Sequence, residues 1–108
     1  MNKTKTQSLL GFAAKAGKLS YGTHASTFAI ESGRAKMVVV ACDISQKTVK
    51  EIKFKAAKQN IPVIMLSDTT TQTLSHTVGK TCGITTVNDQ GFADAITKQE
   101  EIAYDGKI

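Results

Sequence analysis

The chain has no tryptophan, one proline and two cysteines, and aromatic residues make up only 6 % of it. A core built from so few rings must be aliphatic, made of Val, Ile, Leu and Ala. Cys42 and Cys82 are far apart, and neither has a Cys or His neighbour at metal-ligand spacing. A zinc site would need His24 and His76 to converge with both of them, and the composition is not that of a small, disulfide-stapled secreted fold. No apolar run approaches the roughly 20 residues needed to span a bilayer. The opening MNKTKTQSLLGFAAKAGK is interrupted by glycines and by Lys15, and so reads as an amphipathic helix rather than a signal peptide. A G-x-S-x-G turn, a Walker-type lysine loop and a His-rich metal motif are all missing, and no acid stands where it would orient His24 or His76. Neither catalysis nor a cofactor, small-molecule substrate or membrane partner is expected. The expectation is a cytoplasmic, non-enzymatic protein forming one domain, 1–108.

What the chain has is positive charge, unevenly placed. The formal net charge is +5, but residues 1–58 hold eleven Lys/Arg against three acids, while 59–108 hold three lysines against six acids. Such a split implies a basic face, and polyanions, nucleic acid first, are the partners it attracts.

Apolar periodicity supplies the elements. Leu9, Leu10, Ala13 and Ala16 fall at helical spacing ahead of Gly17, and 18–21 then alternates as a short edge strand. A second helix opens at Gly22 or Thr23 and closes at Gly33. Met37 to Cys42 is a continuous, β-branched run, as for a central strand covered on both faces. A third helix starts at Asp43 or Ser45 and turns Val49, Ile52 and Ala56 inward, with Lys47, Lys50, Lys58 and Phe54 on the opposite side. Residues 61–66 (IPVIML) read as the next buried strand. Ser67 and Asp68 are candidate caps for a fourth helix running to Gly79, and ITTV (84–87) reads as a half-buried alternating strand. Asn88 or Asp89 caps a last helix carrying Phe92, Ala95, Ile96 and Ile102. The order αβαβαβαβα predicts an α/β fold, a three-layer α/β/α sandwich around a four-stranded mixed sheet.

Gly22-Thr23-His24 places free backbone amides and the positive end of a helix dipole at the start of the second helix, which suits an anion. An ordinary capped turn has the same local sequence. Lys15 and Lys18 upstream, and Arg34 and Lys36 beyond the helix, favour phosphate by their closeness along the chain.

These residues carry a resemblance. AAKAGKLSYGTHASTFAIESGRAKMVVVACDIS, NIPVIMLSD, TLSHTVGK and VNDQGFADAI keep their relative spacing from about Gln7 to Ile96. Together they resemble the kink-turn RNA-binding ribosomal proteins, the seven-Ae and thirty-e group, and within it the small bacterial YlxQ type. The resemblance implies non-catalytic binding of kink-turn or ribosomal RNA, with the ribosome as a candidate partner. The family's RNA-reading turn runs Gly-Thr-Asn-Glu-x-x-Lys. Here Gly22 and Thr23 match, His24 stands at the Asn place, Ala25 at the Glu place and Phe28 at the Lys place. The family's second RNA-facing loop corresponds to Lys80, Thr81, Cys82 and Gly83, and His76 lies where a lysine is frequent. With Ala25 and Phe28 lacking polar readout, the alternative is a protein-interaction module that kept the fold, seated on Phe28 and Phe54. An exposed Phe28 beside the turn suits base stacking or a protein contact; a buried one is core.

Overall fold

The computed structural model describes the backbone of residues 2–67 and 69–105, and the side chains of 5–67 and 69–100. Its elements in chain order are α1 Asn2–Lys15, β1 Leu19–Tyr21, α2 Gly22–Glu31, β2 Met37–Ala41, α3 Gln46–Lys58, β3 Val63–Leu66, α4 Thr71–Val78, β4 Ile84–Val87 and α5 Gln90–Asp105. The strands form one mixed sheet in the order β1-β4-β2-β3, with β2 and β3 parallel and β4 antiparallel to both β1 and β2.

The continuous apolar run of β2 sets the layering, because alternate side chains of a strand point to opposite faces. Met37, Val39 and Ala41 enter one core with Leu10, Ala13, Leu74, Val78, Ala93 and Ile96 from α1, α4 and α5. Val38 and Val40 enter the other with Ala29, Ile30, Val49, Ile52 and Ala56 from α2 and α3. All five β2 residues are buried. Helices therefore cover both faces, as the element order predicts.

Four strand and helix assignments differ from the sequence reading. β4 is not half-buried: ITTV is buried throughout, because this last strand inserts between β1 and β2. Its threonines pass as polar in a pattern, yet they are β-branched, and their hydroxyls find partners on the neighbouring strand β1 and just beyond the end of β4. Thr85 Oγ1 donates to the Ser20 carbonyl at 2.7 Å and Thr86 Oγ1 to Asn88 Oδ1 at 3.0 Å. β3 in turn is an edge strand, with Met65 44 % exposed. Pro62, just ahead of it, fits an edge. The cap of α4 is Thr70, which accepts from Thr73 N, rather than Ser67; Asp68 and the Ile102 side chain lie outside the described residues. Ala16 lies past the end of α1 and is exposed.

Among the described residues no helix is long and apolar enough to cross a membrane, and no three His, Cys, Asp or Glu side chains group to hold a metal ion.

Candidate nucleic-acid interface

The strand register places two segments at one end of the sheet. Tyr21, the last residue of β1, pairs with Thr85 near the start of β4. The start of α2 therefore lies beside the loop that feeds β4.

No linker separates β1 from α2. Gly22, at φ 86°, turns the chain directly from extended Tyr21 into the helix. That left-handed conformation strains any residue with a Cβ. Nothing lies within 4 Å of where a Gly22 Cβ would sit, so backbone rather than space demands the glycine. Tyr21, as N-cap, offers no side-chain hydrogen bond to the first turn. The contrast with the other helices is instructive. Ser45 caps α3 through Thr48 N, Thr70 caps α4 through Thr73 N, and Asp89 accepts from Phe92 N at the start of α5. Among the helices whose starts lie in the described residues, α2 alone leaves its first-turn amides without such a side chain, with Thr23, His24 and Ala25 exposed around them.

The facing loop is clamped at both ends. Gly79, at φ 83°, stops α4. Three residues on, Cys82 N donates to Ser75 Oγ at 2.9 Å, and Ser75 Oγ donates back to the Cys82 carbonyl at 3.0 Å. Gly83 O accepts from Ala41 N, and a Cβ on Gly83 would collide with Ile44 Cδ1 and Thr71 Oγ1. The loop thus projects Lys80 and Thr81 into solvent while it buries the Cys82 side chain. Cys82 was expected to face a ligand; instead its sulfur belongs to the core, and burial pushes the thiol pKa up. It is not the thiolate a nucleophile requires. Lys80 Nζ stands 5.1 Å from the centroid of the Tyr21 ring, a cation–π contact joining the loop to the α2 start. Tyr21 was missed in the sequence, where nothing marks a pairing between residues so far apart.

The expected basic surround does not converge on this turn. Lys18 O accepts from Asn88 N and Lys36 N donates to Val87 O, which puts both lysines at the opposite end of β4. Arg34 follows α2, whose ten residues span about 15 Å. Lys18, Arg34 and Lys36 therefore form a separate basic end. Lys15 and His76 line a groove of about 640 Å³ between α1 and α4, which reaches Gly79 at the root of the loop. On α2, His24 and Phe28 are one turn apart, and Phe28 is 63 % exposed, which keeps its ring available beside the turn.

Asp43 ties the same end of the sheet together. Its carboxylate accepts from Thr71 N at 2.9 Å and Thr71 Oγ1 at 2.7 Å. The Thr71 hydroxyl bond first, then the amide bond, holds its pKa below the usual 3.8. A depressed folded-state pKa contributes stability above the unfolded value, and that contribution is lost as pH falls through the folded value. Asp43→Ala is thus expected to lower the urea midpoint at pH 7, with the gap to the parent protein closing as pH drops below 3.8. A gap that persists at low pH would mean the carboxylate charge is irrelevant.

Residues 4–97 match the ribosomal protein L7Ae/L30e/S12e/Gadd45 family. The RNA-binding protein YlxQ of Enterococcus faecium is 33 % identical over 92 residues, covering 85 % of this chain and 87 % of that protein. A solved structure of a protein with unknown function from Bacillus halodurans superposes with a TM-score of 0.83 at 29 % identity, covering 88 % of this chain and 95 % of that one. The Giardia lamblia 15.5kD RNA binding protein shares the fold, with a TM-score of 0.76 at 13 % identity over 93 % of this chain and 88 % of that one.

Proposed function

We propose that this chain, which belongs to the ribosomal protein L7Ae/L30e/S12e/Gadd45 family, binds structured RNA without catalysis, using the start of α2 and the loop 79–83 as one site. The observation carrying this reading is the meeting, at one end of the sheet, of an uncapped glycine-started helix and a lysine-bearing loop. The first-turn amides of α2 take a phosphate or a base edge, Lys80 neutralises a flanking phosphate, and Thr81 contacts an extruded base. A reader made of a helix end and a loop suits bent RNA with unpaired bases better than a regular A-form duplex. Kink-turn RNA is the proposed class, and ribosomal RNA the first candidate within it. The name of the Enterococcus relative supports RNA as the partner.

The departures at the turn define how the site works here. His24 keeps one polar contact, while Ala25 and Phe28 replace two polar readers with a methyl and an exposed ring. By analogy with base-edge readout in DNA, each missing contact removes about 1–3 kcal/mol of discrimination. In gel shifts, a kink-turn hairpin should therefore bind only about tenfold more tightly than one with its G·A pairs disrupted, a ratio set by the single remaining reader. Equal binding to both would remove the kink-turn claim, and indifference to every folded RNA would remove the function. The exposure of Phe28 also suits the protein-module reading. Under RNA binding Phe28→Ala weakens the hairpin complex; under the module reading it leaves that complex unchanged.

A further inference from the structure

The outer face of α3 plays no part in the site described above, yet it is the most basic stretch of the chain. Helix α3 carries five lysines against one acid, Glu51. Its buried side is Val49, Ile52 and Ala56. On the opposite side Lys47, Lys50, Phe54 and Lys58 follow at intervals of three, four and four residues, which lines them up along one face. Phe54 is 64 % exposed, and Lys58 Nζ stands 4.5 Å from its ring centroid. Lys58 covers one side of the ring, and the rest of it faces solvent in the middle of the lysine row. An aromatic platform between cations is the arrangement that grips a single strand: bases stack on the ring while phosphates run along the lysines.

The position agrees with this. Helices α2 and α3 lie in the same layer and contact each other, and α3 follows β2 from the end of the sheet where the α2 turn sits. From Lys47 to Lys58 the face runs about 17 Å, enough for several phosphates. We infer that the Lys47–Lys50–Phe54–Lys58 face of α3 is a second RNA surface, which binds an unpaired segment of the RNA whose folded part occupies the α2 turn. The inference rests on the RNA-binding reading, and charge complementarity selects the occupant.

The test uses the full chain with two probes in parallel, a kink-turn hairpin and an unstructured 12-nucleotide uridine RNA. Phe54→Leu keeps apolar area but removes the stacking face, and should weaken oligonucleotide binding about tenfold. Changing Lys47, Lys50 and Lys58 to Gln keeps helix propensity. It should lower the slope of log affinity against log salt by about 2, from roughly 0.7 per lost phosphate contact. Hairpin affinity should stay within about threefold in both variants, and ultraviolet crosslinks of the oligonucleotide should map to Phe54. Parent protein that binds the hairpin but ignores the oligonucleotide would overturn the inference alone, as would crosslinks confined to 21–28 and 80–83. Failure of both probes would sink the functional reading with it. Should the protein ignore the oligonucleotide yet sediment with phosphatidylserine vesicles in a Phe54-dependent manner, the face is a membrane contact and the inference is wrong.

Discussion

Placing glutamate on both halves of the site, Thr23→Glu with Lys80→Glu, is expected to lower affinity for a kink-turn hairpin by at least about 100-fold at physiological salt. Hydrogen bonds to charged groups contribute about 1.5–3 kcal/mol each, and losing two of them exceeds the roughly 2.8 kcal/mol that corresponds to two decades. The same exchange should leave the free protein intact. Both positions are exposed, and the about 0.3–1 kcal/mol that a first-turn carboxylate contributes to a helix offsets the about 0.5–1 kcal/mol lost with the Lys80–Tyr21 contact. Binding lost while the melting temperature stays near that of the parent protein is a pattern that general destabilisation does not produce. Lys18→Ala with Lys36→Ala is the control. These lysines lie at the far end of β4, and at about 3.3 Å per extended residue the backbone of Lys18 is roughly 13 Å from Gly22, past the roughly 8 Å Debye length at 0.15 M salt. Their loss should cost less than about threefold. If the control loses as much as the glutamate pair, the RNA lies across the other end of the sheet and the site assigned to the α2 turn is wrong.

That control exists because sequence proximity misled on charge. Lys18 is four residues from Gly22, but an intervening extended strand advances about 3.3 Å per residue and carries it to the opposite end. Arg34 and Lys36 are separated from the turn by the length of α2 itself. Lys80, far off in sequence, arrives beside Tyr21 because β4 inserts next to β1. Local features were legible: the glycine start of α2, the fully covered β2 and the buried stripe of α3 each follow from a residue pattern confined to the neighbourhood of a single element. Strand order was not, since it depends on pairing between residues more than 60 positions apart, such as Leu19 with Val87. The burial of Cys82 was hidden for a related reason. Its side chain turns inward because Ser75, one helix back, holds its backbone from both sides. Phe54 is the opposite case, since the helical period alone put it on the lysine side and the structure leaves it there, 64 % exposed.

Leu74→Ala should be the most costly single truncation for fold and site together. Helix α4 has eight residues, three of them threonine, so its intrinsic helix preference is poor and packing must hold it. Its buried anchors are Leu74 and Val78, and Leu74 is fully enclosed. Removing a buried leucine side chain costs about 2–5 kcal/mol through lost transfer energy and the cavity left behind. At about 4–8 °C per kcal/mol for a domain of this size, the melting temperature should drop by at least about 8 °C. Helix α4 also carries Ser75, whose clamp sets the path of Lys80 and Thr81. Hairpin affinity measured well below the new midpoint should therefore fall several-fold as well. Ile52→Ala supplies the comparison, since Ile52 is as deeply buried but anchors α3 in the other layer. It should lose similar stability in thermal unfolding while keeping hairpin affinity. Equal behaviour of the two variants in both measurements would show that α4 serves the core alone and that the loop it carries does not hold RNA.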